Sequence, residues 1–283
     1  MFVLKLLSRL PLPVLYAISD LLFIAGYYVA GYRKNLVRQN LCNAFPEKSE
    51  KERLVIERQF YRNLCDYAVE TLKLLTMPKK SLMKRMRYTN PEIMVSYRER
   101  GQSVILLSSH HFNWEWLLVS GILSLPVPVD FVYQPLKNKF FDKLMQHIRT
   151  RFGGFAITRN DVARQFAARK HIVRGIAIVA DQYPGYQTDK RHVIHFMHQE
   201  TAFFLGGQQI ASLTQYPVLY GVVERVNRGY YTCTLVHIAD PPHQKDSVEV
   251  VEKYAREVEQ VIHNHPSNWL WSHDRWKTRH VPS

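Results

Sequence analysis

Cysteine is almost missing from this chain. Cys42, Cys65 and Cys233 are the three in 283 residues, and no two share a Cys-x2-Cys spacing. That argues against a disulfide frame or a cysteine zinc site and points to small buried thiols of a reducing compartment. Acid is the second shortage. Asp and Glu number 24 against 38 Lys and Arg, a formal net charge of +14. Nucleic acid, an anionic membrane surface and an acidic protein all suit that balance. No nucleic-acid-binding motif is visible and the bases are scattered, so nucleic acid is not expected. Internal repeats and low-complexity tracts are also lacking. The 13 His are dispersed, apart from His192, His195 and His198 in one stretch. That is a weak case for a metal cage, and neither metal nor cofactor is expected. No Ser or Cys stands out as a nucleophile.

Apolar residues make up 46% of the chain, ample for a core, in one large domain or two small ones. From Leu10 to Tyr32 there is one acid, Asp20, and no base, with Lys5 and Arg9 before and Arg33, Lys34 and Arg38 after. The run Pro13–Gly31 is near the roughly 20 residues that span a bilayer. No signal-peptide cleavage site follows it. Asp20 favours a buried helix, because a central carboxyl is costly in lipid. Tyr27, Tyr28 and Tyr32 favour an interfacial anchor. The expectation is an anchor over residues 1–32, spanning or embedded in one leaflet, followed by one domain over 33–283.

Helices are expected from Arg33 to about Met77. Pro46 ends one, and Ser49 with Glu52 three residues on offers a capping box for the next. Leu54, Phe60, Tyr61, Leu64, Tyr67, Ala68, Thr71, Leu72 and Leu75 then recur at helical spacing, as a core face does. Lys79–Arg100 reads as a solvated basic face, or as a contact for anionic headgroups or an acidic carrier protein. Strands are expected at Val104–Leu107, Val129–Tyr133, Ile176–Ala180, Val218–Val223 and Tyr231–His237. Helices are expected at Trp114–Leu123, Asn138–Arg151, Asp161–Lys170, Phe203–Leu213 and Ser247–His263. The fold class is therefore α/β: a mostly parallel central sheet flanked by helices, behind a helical N-terminal region and its membrane-anchoring helix.

The stretch from Ser108 to Trp116 is where chemistry is expected. An apolar strand stops at two Ser and a His, then turns into a helix, which places His110 at a sheet edge. His110 and Glu115 are five apart. On one helix they would be about 140° apart, at roughly 100° per residue. With His110 in the loop and Glu115 in the first helical turn, the carboxylate can reach back to the imidazole. Against this stands the plain reading of His110 as a cap or a solvated side chain. Asp181 and Gln182 also follow an apolar strand, and parallel strands would bring them to the same edge; a turn-starting Asp is the plain alternative. Arg149 and Arg151 precede Gly153. They either complement a helix dipole or hold a phosphate or oxyanion, and only one of the two can face a site. Phe203–Gly207 could line an acyl groove or simply pack. Trp269, Trp271 and Trp276 read as an interfacial belt or a packing block.

Several separated pieces resemble the late acyltransferases of lipid A biosynthesis, the lauroyl/myristoyl type, within the lysophospholipid acyltransferase group. They are Tyr32–Leu41, Ala44–Pro46, the His-x4-Glu of His110 and Glu115 with Asn113, Trp114 and Trp116, Arg149–Gly153, Asp181-Gln182, Phe203–Gly206 and Trp269–Lys277. They run in the family's order over nearly the whole chain. His111 stands where the family usually has Phe or Tyr, and Asp274 where it often has Arg or a polar residue. The resemblance implies a bacterial inner-membrane enzyme with its active site facing the cytoplasm. It would move a fatty acyl group from acyl carrier protein to a hydroxyl of a lipid, with His110 and Glu115 as the catalytic dyad. Arg149, Arg151, Asp181 and Gln182 are the expected substrate-binding residues. A lysophospholipid or aminolipid acceptor, a metal-dependent hydrolase and a non-enzymatic membrane-binding protein are the rivals.

Overall fold

A computed structural model describes residues 2–185 and 189–276. The N-terminal part is helical: α1 (Phe2–Arg9), α2 (Leu12–Phe23) continuing as a wider π-helical turn over Ile24–Val29, α3 (Lys34–Ala44) and α4 (Glu50–Lys73). The expected capping box opens α4. The Ser49 hydroxyl accepts from the Glu52 N–H, and the Glu52 carboxylate accepts from the Ser49 N–H at 2.7 Å.

Next come α5 (Lys79–Arg85), β1 (Met86–Tyr88), α6 (Glu92–Glu99), β2 (Val104–Ser108), α7 (Trp114–Ser124), β3 (Val129–Tyr133), α8 (Lys139–Thr150), β4 (Phe155–Thr158), α9 (Val162–Ala168) and β5 (Gly175–Val179). A hairpin of β6 (Arg191–Phe196) and β7 (Gln199–Phe204) stands apart from the main sheet. Then α10 (Gly206–Thr214), β8 (Val218–Asn227), β9 (Tyr230–Ala239) and α11 (Glu249–Asn264) complete the order. The main sheet runs β1-β9-β8-β2-β5-β3-β4, parallel except between β8 and β9. The mostly parallel α/β class is thus the fold.

Two local expectations are corrected, and one strand is added. Phe203 and Phe204 end strand β7, and the helix starts only at Gly206. Lys79–Arg100, for which a solvated face is one of two readings, supplies the edge strand β1 and buries Leu82, Met86 and Met94. Its apolar residues are too sparse to announce a strand of three. Phe155–Thr158 was not expected as a strand and closes the sheet at β4.

Strand β2 is buried at every position, because helices cover both faces of the sheet. Ile105 and Leu107 join one core with Phe60, Tyr220 and Tyr254; Val104 and Leu106 join the other with Trp116, Val129 and Leu219. This is the period of two that a sandwiched strand requires.

The N-terminal helices lie on the body through a polar seam. Helix α2 and its π-helical extension run antiparallel to α4. Tyr27 donates to Glu57 (2.8 Å), Ser19 to Asp66 (2.7 Å) and Tyr16 to Glu70 (2.9 Å). Lys73 binds the carbonyls of Ser8 and Leu10. Asp20 pairs with Arg228, which also grips Asp66, both at 2.7 Å. The opposite side is apolar and open: Leu21, Ile24, Tyr28 and Val29 are each more than half exposed. Leu12–Val29 is long and apolar enough to cross a membrane by length and composition.

Candidate active site

The register of the parallel pair β2–β5 sets Ser108 beside Val179. Two residues further along each chain stand His110 and Asp181, so both leave the sheet at one edge and at one level. This is the common edge expected of the two polar pairs. His110 Nδ1 lies 2.6 Å from Asp181 Oδ1, and the His110 backbone N–H donates to Oδ2 at 2.9 Å. The Trp269 indole donates to Oδ2 as well, at 2.7 Å. Burial alone would raise the Asp181 pKa. The charge and hydrogen bonds of His110, with the Trp269 bond, outweigh it and hold the carboxyl well below the usual range. Asp181 is therefore an anion, and Nδ1 of His110 carries the proton it accepts. Nε2 makes no hydrogen bond among the described residues. The imidazole keeps 17% of its side-chain surface open, against 2% for Asp181, so the ring and not the carboxylate meets solvent.

Glu115 does not turn back to His110, which corrects the sequence expectation. Its carboxylate takes Arg149 Nε at 2.9 Å and Nη2 at 2.5 Å, and the Trp114 indole N–H at 3.0 Å. Among the described residues no hydrogen bond joins Glu115 to His110. The reason is local. Asn113 caps α7, accepting from the Glu115 and Trp116 N–H groups, and Glu115 is left 1% exposed in the first turn, where the fork of Arg149 satisfies it. Trp114 stands between the two, its ring edge-on to the imidazole at 4.9 Å and packed on Tyr67 at 4.1 Å. Burial alone would lower the Arg149 pKa, but the Glu115 charge outweighs it and raises it. Arg149 Nη1 makes no hydrogen bond among the described residues.

Arg151 binds the carbonyls of Leu74 (2.5 Å) and Met77 (2.9 Å) and so ties the end of α8 to the end of α4. Gln182 is half-buried and lies beside His110, Asp181, Trp269, Leu270 and His273. His111 is 1% exposed, bonded through Nδ1 to Ser109 Oγ at 2.6 Å, and desolvation pulls its pKa down to about 3. It is a neutral core residue; its backbone bridges to Trp269.

Trp269 was missed as a site residue. Trp269, Trp271 and Trp276 are 2%, 0% and 4% exposed, a packing block and not a belt. Nothing in the sequence separates an indole that packs from one that also bonds a carboxylate. Phe203 is fully buried beneath the guanidinium of Arg275, 4.5 Å from its ring. Among the described residues no three His, Cys, Asp or Glu side chains form a metal-binding group. His192 and His195 pair instead with Glu252 and Glu200.

A sequence model described as bacterial lipid A biosynthesis acyltransferase matches residues 1–278. The lipid A biosynthesis lauroyltransferase of Escherichia coli strain K12 is 24% identical over 283 residues, covering 98% of this chain and 90% of that protein. The palmitoleoyltransferase of the same strain is 22% identical over 284 residues, covering 99% and 90%. A lipid A biosynthesis acyltransferase of Haemophilus influenzae is 22% identical over 285 residues, covering 98% and 86%.

Proposed function

The chain belongs to the bacterial lipid A biosynthesis acyltransferase family, and with it to the enzymes that transfer acyl groups; from that premise we propose that it moves a fatty acyl chain from an acyl carrier protein thioester to a hydroxyl of a lipid A precursor at a membrane surface. The observation that carries the chemistry is the 2.6 Å contact between His110 Nδ1 and Asp181. An imidazole whose Nδ1–H is held by a carboxylate presents Nε2 as a base.

In this reaction Nε2 takes the proton of the acceptor hydroxyl as its oxygen attacks the thioester carbonyl. Asp181 fixes the tautomer and offsets the imidazolium charge. The C–S bond then breaks, and the departing thiolate takes the proton back from Nε2. Oxygen gains the acyl group and sulfur gains the proton, so the base is regenerated without an acyl-enzyme. Glu115 serves the site through Arg149, holding the guanidinium rigid at the start of α7. Nη1 is the donor available to a substrate oxyanion or phosphate. Gln182 contacts substrate from its place beside His110, and Arg151 acts by tying α8 to the end of α4.

The active site would face the cytoplasm at the inner membrane, with the exposed apolar side of α1, α2 and the turn after it on the bilayer. The basic surface suits both an acidic carrier protein and anionic lipid. The test incubates the purified full chain with labelled acyl carrier protein and with acyl coenzyme A, against a lipid A precursor, a lysophospholipid and an aminolipid. Label should reach the lipid A precursor from the carrier protein and be lost with His110→Ala. Transfer confined to either of the other two lipids would refute the acceptor; transfer from coenzyme A alone would refute the donor.

A further inference from the structure

The apolar stripe of α8 runs past the protein that covers it. Leu144 and Ile148, four residues apart, are 7% and 1% exposed. One turn earlier on the same face stand Phe140 and Phe141, 43% and 52% exposed, and Leu136 just ahead of the helix is 49% exposed. The backbone that carries them is held in place. Asn138 caps the helix, accepting from the Phe140 and Phe141 N–H groups, and Asp142 accepts from the Leu136 N–H at 2.8 Å. The two rings pack edge to face at 5.4 Å.

Charge and position define what covers them. Lys137, Lys139 and Lys143 are exposed among the apolar groups, and Asp142, already bonded to Leu136 and Gln146, is the one acid from Gln134 to His147. The patch follows the C-terminal end of β3, and β3 is parallel to β5 and β5 to β2. It therefore lies on the edge that carries His110 and Asp181. Residues 73–77 also tie the C-terminal end of α8, the end away from the patch, to α1. Arg151 binds the Leu74 and Met77 carbonyls, while Lys73 and Thr76 bind the Ser8 carbonyl. The outer side of α1 is itself apolar and exposed at Phe2, Val3 and Leu6.

We propose that residues 136–143 are a second membrane contact, in which Leu136, Phe140 and Phe141 enter the apolar margin of an anionic bilayer and Lys137, Lys139 and Lys143 meet its phosphates. An uncovered cluster of large apolar side chains rimmed by lysine is the pattern of an interfacial helix. The proposal rests on the lipid-acceptor reading, since it turns the catalytic edge toward the bilayer that holds such a substrate. Two contacts, α1–α2 and the start of α8, would fix the tilt of the enzyme where one would leave it free to pivot.

The experiment labels single cysteines with an environment-sensitive fluorophore at Phe140→Cys and Phe141→Cys in the full chain, with Cys42→Ser and Cys65→Ala removing the accessible thiols. Leu136→Cys repeats it outside the helix. Leu213, 65% exposed on α10 just before the start of β8, is the control at the opposite edge. Vesicles of phosphatidylethanolamine and phosphatidylglycerol carry nitroxide lipids as quenchers. A blue shift with quenching at 136, 140 and 141 but not at 213 supports the proposal. Aqueous emission at all three while the chain floats with the vesicles overturns it. A shift produced without vesicles, by an acidic carrier protein or by raising the enzyme concentration, makes the patch a protein interface and also overturns it. None of these readings needs turnover, so a wrong acceptor would show in the transfer assay and leave them intact.

Discussion

Asp181, not Glu115, holds His110: its two carboxylate oxygens take the ring Nδ1 at 2.6 Å and the backbone N–H at 2.9 Å of the same histidine. The double grip fixes the ring and its loop together. It also separates the two acids, Asp181 set on His110 and Glu115 on Arg149.

Asp181→Asn is expected to keep the fold and lose most of the turnover. The amide can present an N–H to Nδ1, which drives the proton to Nε2 and removes the lone pair that the hydroxyl needs. A loss approaching that of His110→Ala is expected, since a positioned base contributes about 10²–10⁴-fold. Turnover of both purified variants, with circular dichroism as the folding check, decides it. An Asp181→Asn enzyme at near-normal rate would remove Asp181 from the dyad.

Glu115→Gln should act on Arg149 and not on the base. The pH at which turnover rises should stay where it is in the parent, while the rate falls. Breaking a buried pair also strands its partner, at a stability cost on the order of 3 kcal/mol. Because Glu115 and Arg149 share one interaction, Glu115→Gln with Arg149→Gln should cost much less than the sum of the two. Additive losses in denaturant midpoint would show that the pair is not the unit.

His111 gives the fold a slope with pH. Its folded pKa is lowered to about 3 by burial, below the free value. As pH falls below about 6.5 the unfolded chain takes up a proton that the folded chain refuses. Stability should therefore fall with decreasing pH between those values, by up to about 1.4 kcal/mol per pH unit from this group. His111→Asn, which can keep a bond to Ser109, should flatten that slope in urea titrations and cost far less turnover than His110→Ala. An unchanged slope would refute the assignment.

Removing residues 1–31 should do more than weaken membrane recovery. It uncovers Glu57, Asp66 and Glu70, which are 1%, 2% and 0% exposed and lose the hydrogen bonds of Tyr27, Ser19 and Tyr16. Each lost hydrogen bond to a carboxylate costs about 1.5–3 kcal/mol. The truncated chain should melt well below the full chain in detergent and aggregate. Equal melting temperatures would mean that the helices are a dispensable attachment.

The sequence alone determined the strand-to-loop edges and the class of fold, because apolar runs that stop at polar residues encode burial directly. Val104–Leu107 before Ser108 to His110 and Ile176–Ala180 before Asp181 both marked one sheet edge, and Ser49 with Glu52 marked the start of α4. The choice of acid was not legible. His-x4-Glu is a distance along the chain, whereas His110 and Asp181 are 71 residues apart and meet through the register of two parallel strands. A five-residue spacing permits a contact but cannot forbid the competing one, and Arg149, 34 residues beyond Glu115, had already satisfied that carboxylate. The same limit applies to Asp20. In the chain it is a lone carboxyl inside an apolar run; in the fold it is paired with Arg228 from the β8–β9 turn, 208 residues away. Local pattern fixes which groups must be buried or exposed. Only tertiary packing decides which partner reaches each buried charge, because several candidates of the right chemistry exist and geometry admits one.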